Sequence, residues 1–336
     1  MENQIGNVQI STPEQFFGGN GSMIQKLRAN SWDLDCLRTN ATLPHDAWKA
    51  IDDTVQEVAE QRLNAMADLR SRGLVYPVKG GLGALYVYWQ TMSEGGDAEQ
   101  SMSGITAGAR SNVDFGEKTI PMPITHVDFT VSIRKLMAMD NSPYGGDFDT
   151  TMVAQATRKV IEKLEYTMFY GSPVVIGGNS LYGYMDYPHS NALTTLTGNW
   201  TGTIANCETD VVKLIAEAES HHHYGPFTLY VHSNEWTDLR QRWTYQDLTY
   251  LDIIKNMSGI DDVKSSDQMT ANDIVLVEMS RETVDLAVAV DLKVVEWPTH
   301  GGMQSNFKVM AVIAPRVKSD YDDNCGVVYD TDIGSS

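Results

Sequence analysis

The chain has 336 residues and a formal net charge of −19, long enough for one large core or two modest ones. That charge excludes a protein that grips nucleic acid through its own basic surface, because phosphate contacts need clustered Lys and Arg; it does not exclude a container that merely encloses nucleic acid. Hydrophobic residues make up 42% and charged residues 21%, an ordinary balance for a folded protein, and no stretch approaches the ~20 consecutive apolar residues of a membrane span.

Residues 1–43 are polar and weakly patterned, with Gly18-Gly19-Asn20-Gly21 breaking any helix in the middle, and read as an extended arm ordered only where something holds it. The N-terminus, Met1-Glu2-Asn3-Gln4, lacks the basic-then-apolar pattern of a secretory signal. From Pro44 the texture changes. Asp46 can cap a helix, and Trp48, Ile51, Val55, Val58, Leu63, Met66 and Leu69 recur near helical spacing up to a stop at Gly73. The opposite face is polar (Lys49, Asp53, Glu57, Glu60, Arg70), which predicts a helix with one buried side.

Leu85-Tyr86-Val87-Tyr88-Trp89 predicts a strand. Val127 to Arg134 predicts another, in which period-two alternation puts Val127, Phe129, Val131 and Ile133 on one face. Between them, Ser93 to Asp114 holds Gly95-Gly96, Gly104 and Gly108 and nothing to build a core. So long a structureless stretch inside a compact domain marks a binding element or a mobile segment. Residues 85–133 therefore read as a long β-arm that projects from the body and packs on another copy. Assembly, rather than catalysis, is the first hypothesis.

After a turn at Asn141-Ser142-Pro143-Tyr144-Gly145-Gly146, Asp149 opens the longest predicted helix. Val153, Ala156, Val160, Ile161, Leu164, Met168 and Phe169 form its apolar stripe, opposed by Arg158, Lys159, Glu162 and Lys163, and Gly171-Ser172-Pro173 ends it. At ~1.5 Å per residue this is a rod of about 30 Å, long enough to be the spine of a domain. Residues 173–205 read as loop. A helix from Thr209 to Ser220, a strand Phe227–Val231, a helix Asn234–Trp243, the segment Leu251–Ile254 and strands Ile274–Met279 and Val284–Trp297 then suggest an α/β unit of about ninety residues. Phe307 to Pro315 predicts one more strand, apolar at Phe307, Val309, Ala311 and Ile313, before an acidic C-terminal tail.

None of the chemical motifs outweighs its structural rival. Consecutive residues on a helix point in three directions, so His221-His222-His223 reads as a polar helix end rather than a metal cluster, whose histidines sit four apart. Gly80-Gly81-Leu82-Gly83 lacks the Lys-Ser/Thr of a phosphate loop, and a strand rather than a helix follows; it reads as a turn into the β-arm. Asp320-Tyr321-Asp322-Asp323-Asn324-Cys325-Gly326 is similar to the start of a calcium loop, but its glycine is one place late and Thr331 stands where a glutamate is needed. A solvated acidic turn is expected there, with a weak metal site left open. Cys36, Cys207 and Cys325 are odd in number and far apart, so reduced thiols in a cytoplasm are expected rather than a disulfide framework. No Gly-x-Ser-x-Gly elbow is present, and Asp52-Asp53 and Asp261-Asp262 are adjacent residues that do not face one another. Catalytic residues and cofactors are expected to be absent.

Several segments resemble one family in the right order. Ala47-Trp48-Lys49-Ala50-Ile51-Asp52-Asp53 through Arg62-Leu63 resembles the N-terminal helix of encapsulin-type shell proteins, and Gly225-Pro226-Phe227-Thr228-Leu229 the start of the strand–helix unit in their second domain. Ile274-Val275-Leu276 through Val284-Asp285-Leu286-Ala287-Val288-Ala289-Val290-Asp291-Leu292 is similar to the hairpin and V-x-x-D-L strand that follow, and Phe307-Lys308-Val309 with Pro315 to the closing strand. Encapsulins share the HK97 capsid fold with the major capsid proteins of tailed phages. The resemblance implies an α+β chain of that fold, organised as an N-terminal arm (1–43), the N-terminal helix of a peripheral (P) domain (44–84), an extended β-hairpin E-loop (85–133), the rest of the P domain with its spine helix (134–202), an α/β axial (A) domain (203–298), and a closing P-domain strand with the C-terminal tail (299–336). It places the assembly interface on the E-loop at Glu94, Asp97, Glu99, Arg110, Asp114 and Lys118, and the spine-helix core at Val153, Val160, Leu164 and Met168.

The resemblance further implies that the chain associates with itself, as pentamers and hexamers or pentamers alone, into an icosahedral shell. About forty residues precede the Trp48 helix, where encapsulins begin near it; a long N-arm is a habit of phage capsid proteins. The leading expectation is a phage major capsid protein assembled in a bacterial cytoplasm, enclosing double-stranded DNA without reading its sequence. A portal, a separate scaffold and decoration proteins would be its partners, and no membrane is involved. The alternative is an encapsulin-like nanocompartment shell around a cargo protein. Lys118 lies at the base of the loop, but no motif carries over the lysine–asparagine crosslink of some capsids, and none is expected.

Overall fold

The computed structural model describes residues 51, 53–55, 64–93, 100, 102, 114–132, 134, 148–193, 196, 200, 206–242, 248–300 and 303–331. In chain order its elements are α1 (Ala65–Ser71), β1 (Val75–Pro77), β2 (Tyr86–Met92), β3 (Phe115–Pro121), β4 (Thr125–Ser132), α2 (Phe148–Tyr170), β5 (Ser172–Ile176), β6 (Asn179–Leu181), β7 (Asn191–Ala192), α3 (Asn206–Ser220), β8 (Phe227–His232), α4 (Ser233–Leu239), α5 (Tyr250–Lys255), β9 (Ile260–Ser266), β10 (Ile274–Glu278), β11 (Val284–Thr299), β12 (Gln304–Val317) and β13 (Val327–Asp330). They build a four-stranded sheet in the order β1-β11-β12-β4, a five-stranded sheet in the order β7-β13-β10-β8-β9, and two hairpins, β2–β3 and β5–β6.

Strands buried on both faces carry almost unbroken apolar runs, and β8, β10 and β12 show why. On β10, Val275 and Val277 enter a core shared with α2 and the four-stranded sheet, while Ile274 and Leu276 enter a second core under α3, α4 and α5. On β12, Phe307, Val309, Ala311 and Ile313 join the first core, as their period-two spacing predicts, and Met310, Val312 and Ala314 join a third core beneath the β2–β3 hairpin. The structure thus has three apolar layers stacked through two sheets.

Helix α2 ends where glycine permits. Gly171 takes a left-handed φ of 68° and returns its N–H to Thr167 O at 3.0 Å. The carbonyls of Met168 and Phe169, left open in the last turn, accept the N–H groups of Tyr184 and Met185 at 2.9 Å each. Gly183 lies against this helix end so closely that a Cβ would come 2.4 Å from Gly171 N.

Four sequence expectations change. Val284–Trp297, read as part of the α/β unit, belongs to β11 of the four-stranded sheet, between β1 and β12, and not to the five-stranded sheet. The strand at Val127 is not the return strand of the arm. β2 pairs instead with Phe115–Pro121, Met92 opposite Phe115 and Trp89 opposite Lys118, whereas β4 pairs with β12 inside the four-stranded sheet. The alternation in β4 is the mark of an edge strand with one face on α2; Phe115-Gly116-Glu117-Lys118-Thr119-Ile120-Pro121 carries too few apolar residues to announce itself. The C-terminal tail is not wholly a solvated turn: β13 inserts between β7 and β10, with Val327 facing the first core and Val328 the second. The loop predicted over 173–205 contains the β5–β6 hairpin and β7. At the N-terminal side, Asp53–Val55 are helical and α1 begins at Ala65 after a bend at Asn64.

Candidate assembly interface

The β2–β3 hairpin has two unlike faces. Val87 and Ile120 point inward and pack with Met122 and Leu181 against Ala287, Val290, Val295, Met310, Val312 and Ala314. Trp89 lies on the same face, its ring 5.5 Å from the Arg316 guanidinium, which also stacks 4.2 Å over Tyr76. Arg316 is itself fixed by Asp285, directly across the β11–β12 pair: Nε donates to Oδ1 at 2.6 Å and a second nitrogen donates to Oδ2. Lys318 adds a second cation to that carboxylate at 2.7 Å. Burial pulls the Lys318 ammonium below the usual lysine range in spite of Asp285.

Lys118 also faces the body. Its Nζ donates to Ser319 Oγ at 2.6 Å, lies 3.5 Å from Tyr187 OH and 3.7 Å from Asp323. The hairpin root is therefore fastened by apolar packing in the middle and by ionic contacts at the side. Beyond the root, Ser93 and Asp114 still pair, with Ser93 N to Asp114 O at 2.9 Å and Asp114 N to Ser93 Oγ at 2.8 Å.

The outward face is a different surface. Tyr88 is 57% exposed, Met92 61% and Phe115 68%. These side chains alternate with polar ones along the strands, so this face is apolar at its ends and carries Gln90 and Glu117 between them. Leu85 and Ile124 are exposed near the same hairpin. Large apolar side chains held outward together make this face the candidate contact surface.

Of the residues predicted for the interface, Asp114 is exposed and Lys118 half-buried against the body; Glu94, Asp97, Glu99 and Arg110 lie outside the described residues. Val153, Val160, Leu164 and Met168 are buried along α2 in the first core. Sequence reasoning missed Tyr88, Met92 and Phe115. The signal was the second apolar face of β2, where Tyr86, Tyr88 and Met92 alternate with Val87 and Trp89.

The chemical motifs take structural places. Gly81–Gly83 form a single 3-10 turn after Gly80, whose φ of 113° requires glycine, and this turn feeds β2. His221, His222 and His223 follow the end of α3 and diverge. His221 Nδ1 lies 3.1 Å from Asn324 Oδ1, His222 is exposed, and His223 Nδ1 lies 2.5 Å from Glu278 Oε2. In the acidic turn, both Asp320 carboxylate oxygens accept from Asn324, at 2.7 and 2.8 Å, while Asp323 turns to His189 and Lys118. Those oxygens do not converge on a cation. Burial pushes the Cys207 and Cys325 thiols up to about 12, the mark of inert core cysteines.

Residues 38–330 match the sequence profile of a family described as a family of unknown function (DUF6260). The chain belongs to that family. It is 24% identical over 283 residues to the type 1 encapsulin shell protein EncA of Myxococcus xanthus, a match covering 82% of this chain and 90% of the relative. Among solved structures it resembles the virus-like particle from Pyrococcus furiosus, with a TM-score of 0.62 at 14% identity over 84% of this chain and 98% of that one. The capsid of Myoviridae phage XM1 gives a TM-score of 0.55 at 12% identity, covering 78% and 90%. The fold of this DUF6260 member is thus the α+β, HK97-like capsid fold, as the sequence resemblance implies.

Proposed function

We propose that this chain is the subunit of a closed protein shell, a structural protein rather than an enzyme, and that the shell is the icosahedral capsid of a phage. The observation that carries the shell reading is the β2–β3 hairpin: a rigid root with Tyr88, Met92 and Phe115 held outward, in a fold shared with capsid and shell proteins. In this reading the hairpin is the E-loop, α2 the spine helix of the P domain, and the five-stranded sheet with α3 to α5 the A domain. The sheet's β13 then makes residues 327–330 part of the A domain.

Each exposed apolar side chain buried against a neighbour contributes roughly 1–2 kcal/mol, from about 25 cal/mol per Å² before ordering costs. Single contacts are modest, but a subunit in a shell meets several neighbours, and closed symmetry leaves no patch on which to keep growing. The charge of −19 disfavours contacts of wrong geometry. The likeness to the capsid of phage XM1 supports the phage reading; the EncA relative supports the second reading, a compartment shell around a cargo protein. Nuclease protection decides between them. Particles from the native cell that protect double-stranded DNA of genome length support the capsid, whereas particles holding a cargo protein and no protected DNA select the compartment.

A further inference from the structure

Helix α1 is seven residues long, yet it is tied to both sheets. Toward the four-stranded sheet, Arg70 forms a two-point ion pair with Asp291 of β11, at 3.1 and 2.8 Å. Just past the helix, Leu74 O accepts the N–H of Leu286 at 2.9 Å. Toward the five-stranded sheet, Asn64 Nδ2 donates to Ser265 O at 2.6 Å and Arg72 pairs with Asp261. Asp68 accepts from Lys264 and, at 2.8 Å, from Tyr230 OH. The helix is a brace between the sheets.

Its N-terminus rests on one side chain. Glu165 of α2, only 2% exposed, accepts the N–H of Ala65 through Oε1 at 2.9 Å. Its other oxygen, Oε2, is buried with no hydrogen-bond partner, and so is the hydroxyl of Tyr184, which lies within reach of the Glu165 charge. The groups facing this carboxyl are the α1 backbone and Asp68, Tyr184 from the segment after β6, and Tyr230 from β8. Lys264 of β9 spends its ammonium on Asp68 and Asp262. Asp285, which acts on Tyr184, is matched by Arg316 and Lys318. No cation among the described residues pairs with Glu165, and a buried, half-satisfied carboxylate is costly.

We propose that Glu165 is the proton-controlled group of this brace: neutral, it lets α1 close on α2, and ionised, it draws water into that contact and frees α1 between the two sheets. Burial, opposed by the α1 N–H groups and assisted by Asp68, raises its pKa from 4.5 to about 7. The sign follows. A carboxyl with a raised folded-state pKa carries no penalty below its unfolded value, and the penalty grows as pH rises from there through the folded value. The brace is tightest below about pH 4.5, loosens as pH rises from there to about 7, and loosens no further above neutrality.

Hydrogen exchange of the full chain tests this, comparing wild type with Glu165→Gln, which is isosteric and always neutral. At about pH 4, below the unfolded value, the two should exchange alike over residues 65–71. At about pH 8.5 wild type should exchange there roughly tenfold faster or more, with no difference over α3. Equal rates at both pH values would overturn the proposal. Should the variant not fold, infrared titration of wild type decides. A protonated carboxyl absorption that persists above about pH 6 and disappears through about pH 7 supports it, and full ionisation of all carboxyls by about pH 5.5 overturns it.

Discussion

Asp285→Asn should destabilise the subunit by about 3–5 kcal/mol, because it breaks a buried ion pair by removing one partner only. Asp285 is 4% and Arg316 5% exposed, and the substitution leaves two cations, the buried Arg316 and the partly exposed Lys318, around a neutral amide. Arg316 cannot shed its proton, but Lys318, already lowered by burial, can. The deficit of the variant should therefore shrink as pH is raised from about 6 to about 9. Replacing both members, as Asp285→Val with Arg316→Met, removes the buried guanidinium together with its carboxylate and leaves only Lys318, which is partly exposed and can lose its proton. It should recover all but about 1–2 kcal/mol, the worth of the guanidinium stacked on Tyr76 and Trp89. Urea denaturation followed by tryptophan fluorescence, at fixed protein concentration so that association does not shift the midpoint, reads all three proteins. A single variant within about 1 kcal/mol of wild type, or a double variant no more stable than Asp285→Asn, would refute this description of the hairpin root.

Other outcomes follow from individual contacts. Gly183→Ala should fail to fold or lose more than about 3 kcal/mol, since its Cβ would meet backbone of Phe169 and Gly171 at 2.4–2.5 Å; thermal unfolding close to wild type would contradict the packing at the end of α2. Met92→Asp with Phe115→Lys, opposite charges on facing positions, should leave the subunit's stability within about 1 kcal/mol of wild type and abolish large particles in light scattering. Loss of the fold would move these residues from the interface to the core. Burial pushes Glu278 up, but hydrogen bonds from His223 and Thr283 outweigh it and leave the carboxyl below its usual range. Its contribution is thus present above about pH 4.5 and lost as pH falls further. Glu278→Gln should cost about 1–3 kcal/mol at neutral pH and much less near pH 3, checked by denaturation at both.

The sequence was most readable where one periodicity ruled a segment. The stripe of α2 and the odd positions of β12 packed as their spacing predicted, because each faces a single core. Elsewhere pairing outweighed local pattern. Phe115–Pro121 is a strand because Tyr86–Met92 lies beside it, and nothing in Gly116, Glu117 or Lys118 says so. Val327–Asp330 is four residues long and buried on both faces, so it has no period to read. For the candidate interface, the first strand of the arm was legible, and its return strand and contact side chains were not. Tyr88 and Val87 look alike in sequence, and only the third core, which takes Val87 and Ile120, decides which face remains outside. Glu165 was hidden among the polar residues of α2; its burial depends on α1, one hundred residues away, donating the N–H of Ala65.

Electron microscopy of the chain purified after expression alone tests the shell assignment most directly. Closed, hollow, icosahedral particles are the expected result. Small oligomers, persisting when the neighbouring genes of its native genome are expressed with it, would contradict the assignment and leave the HK97-like fold serving some other end.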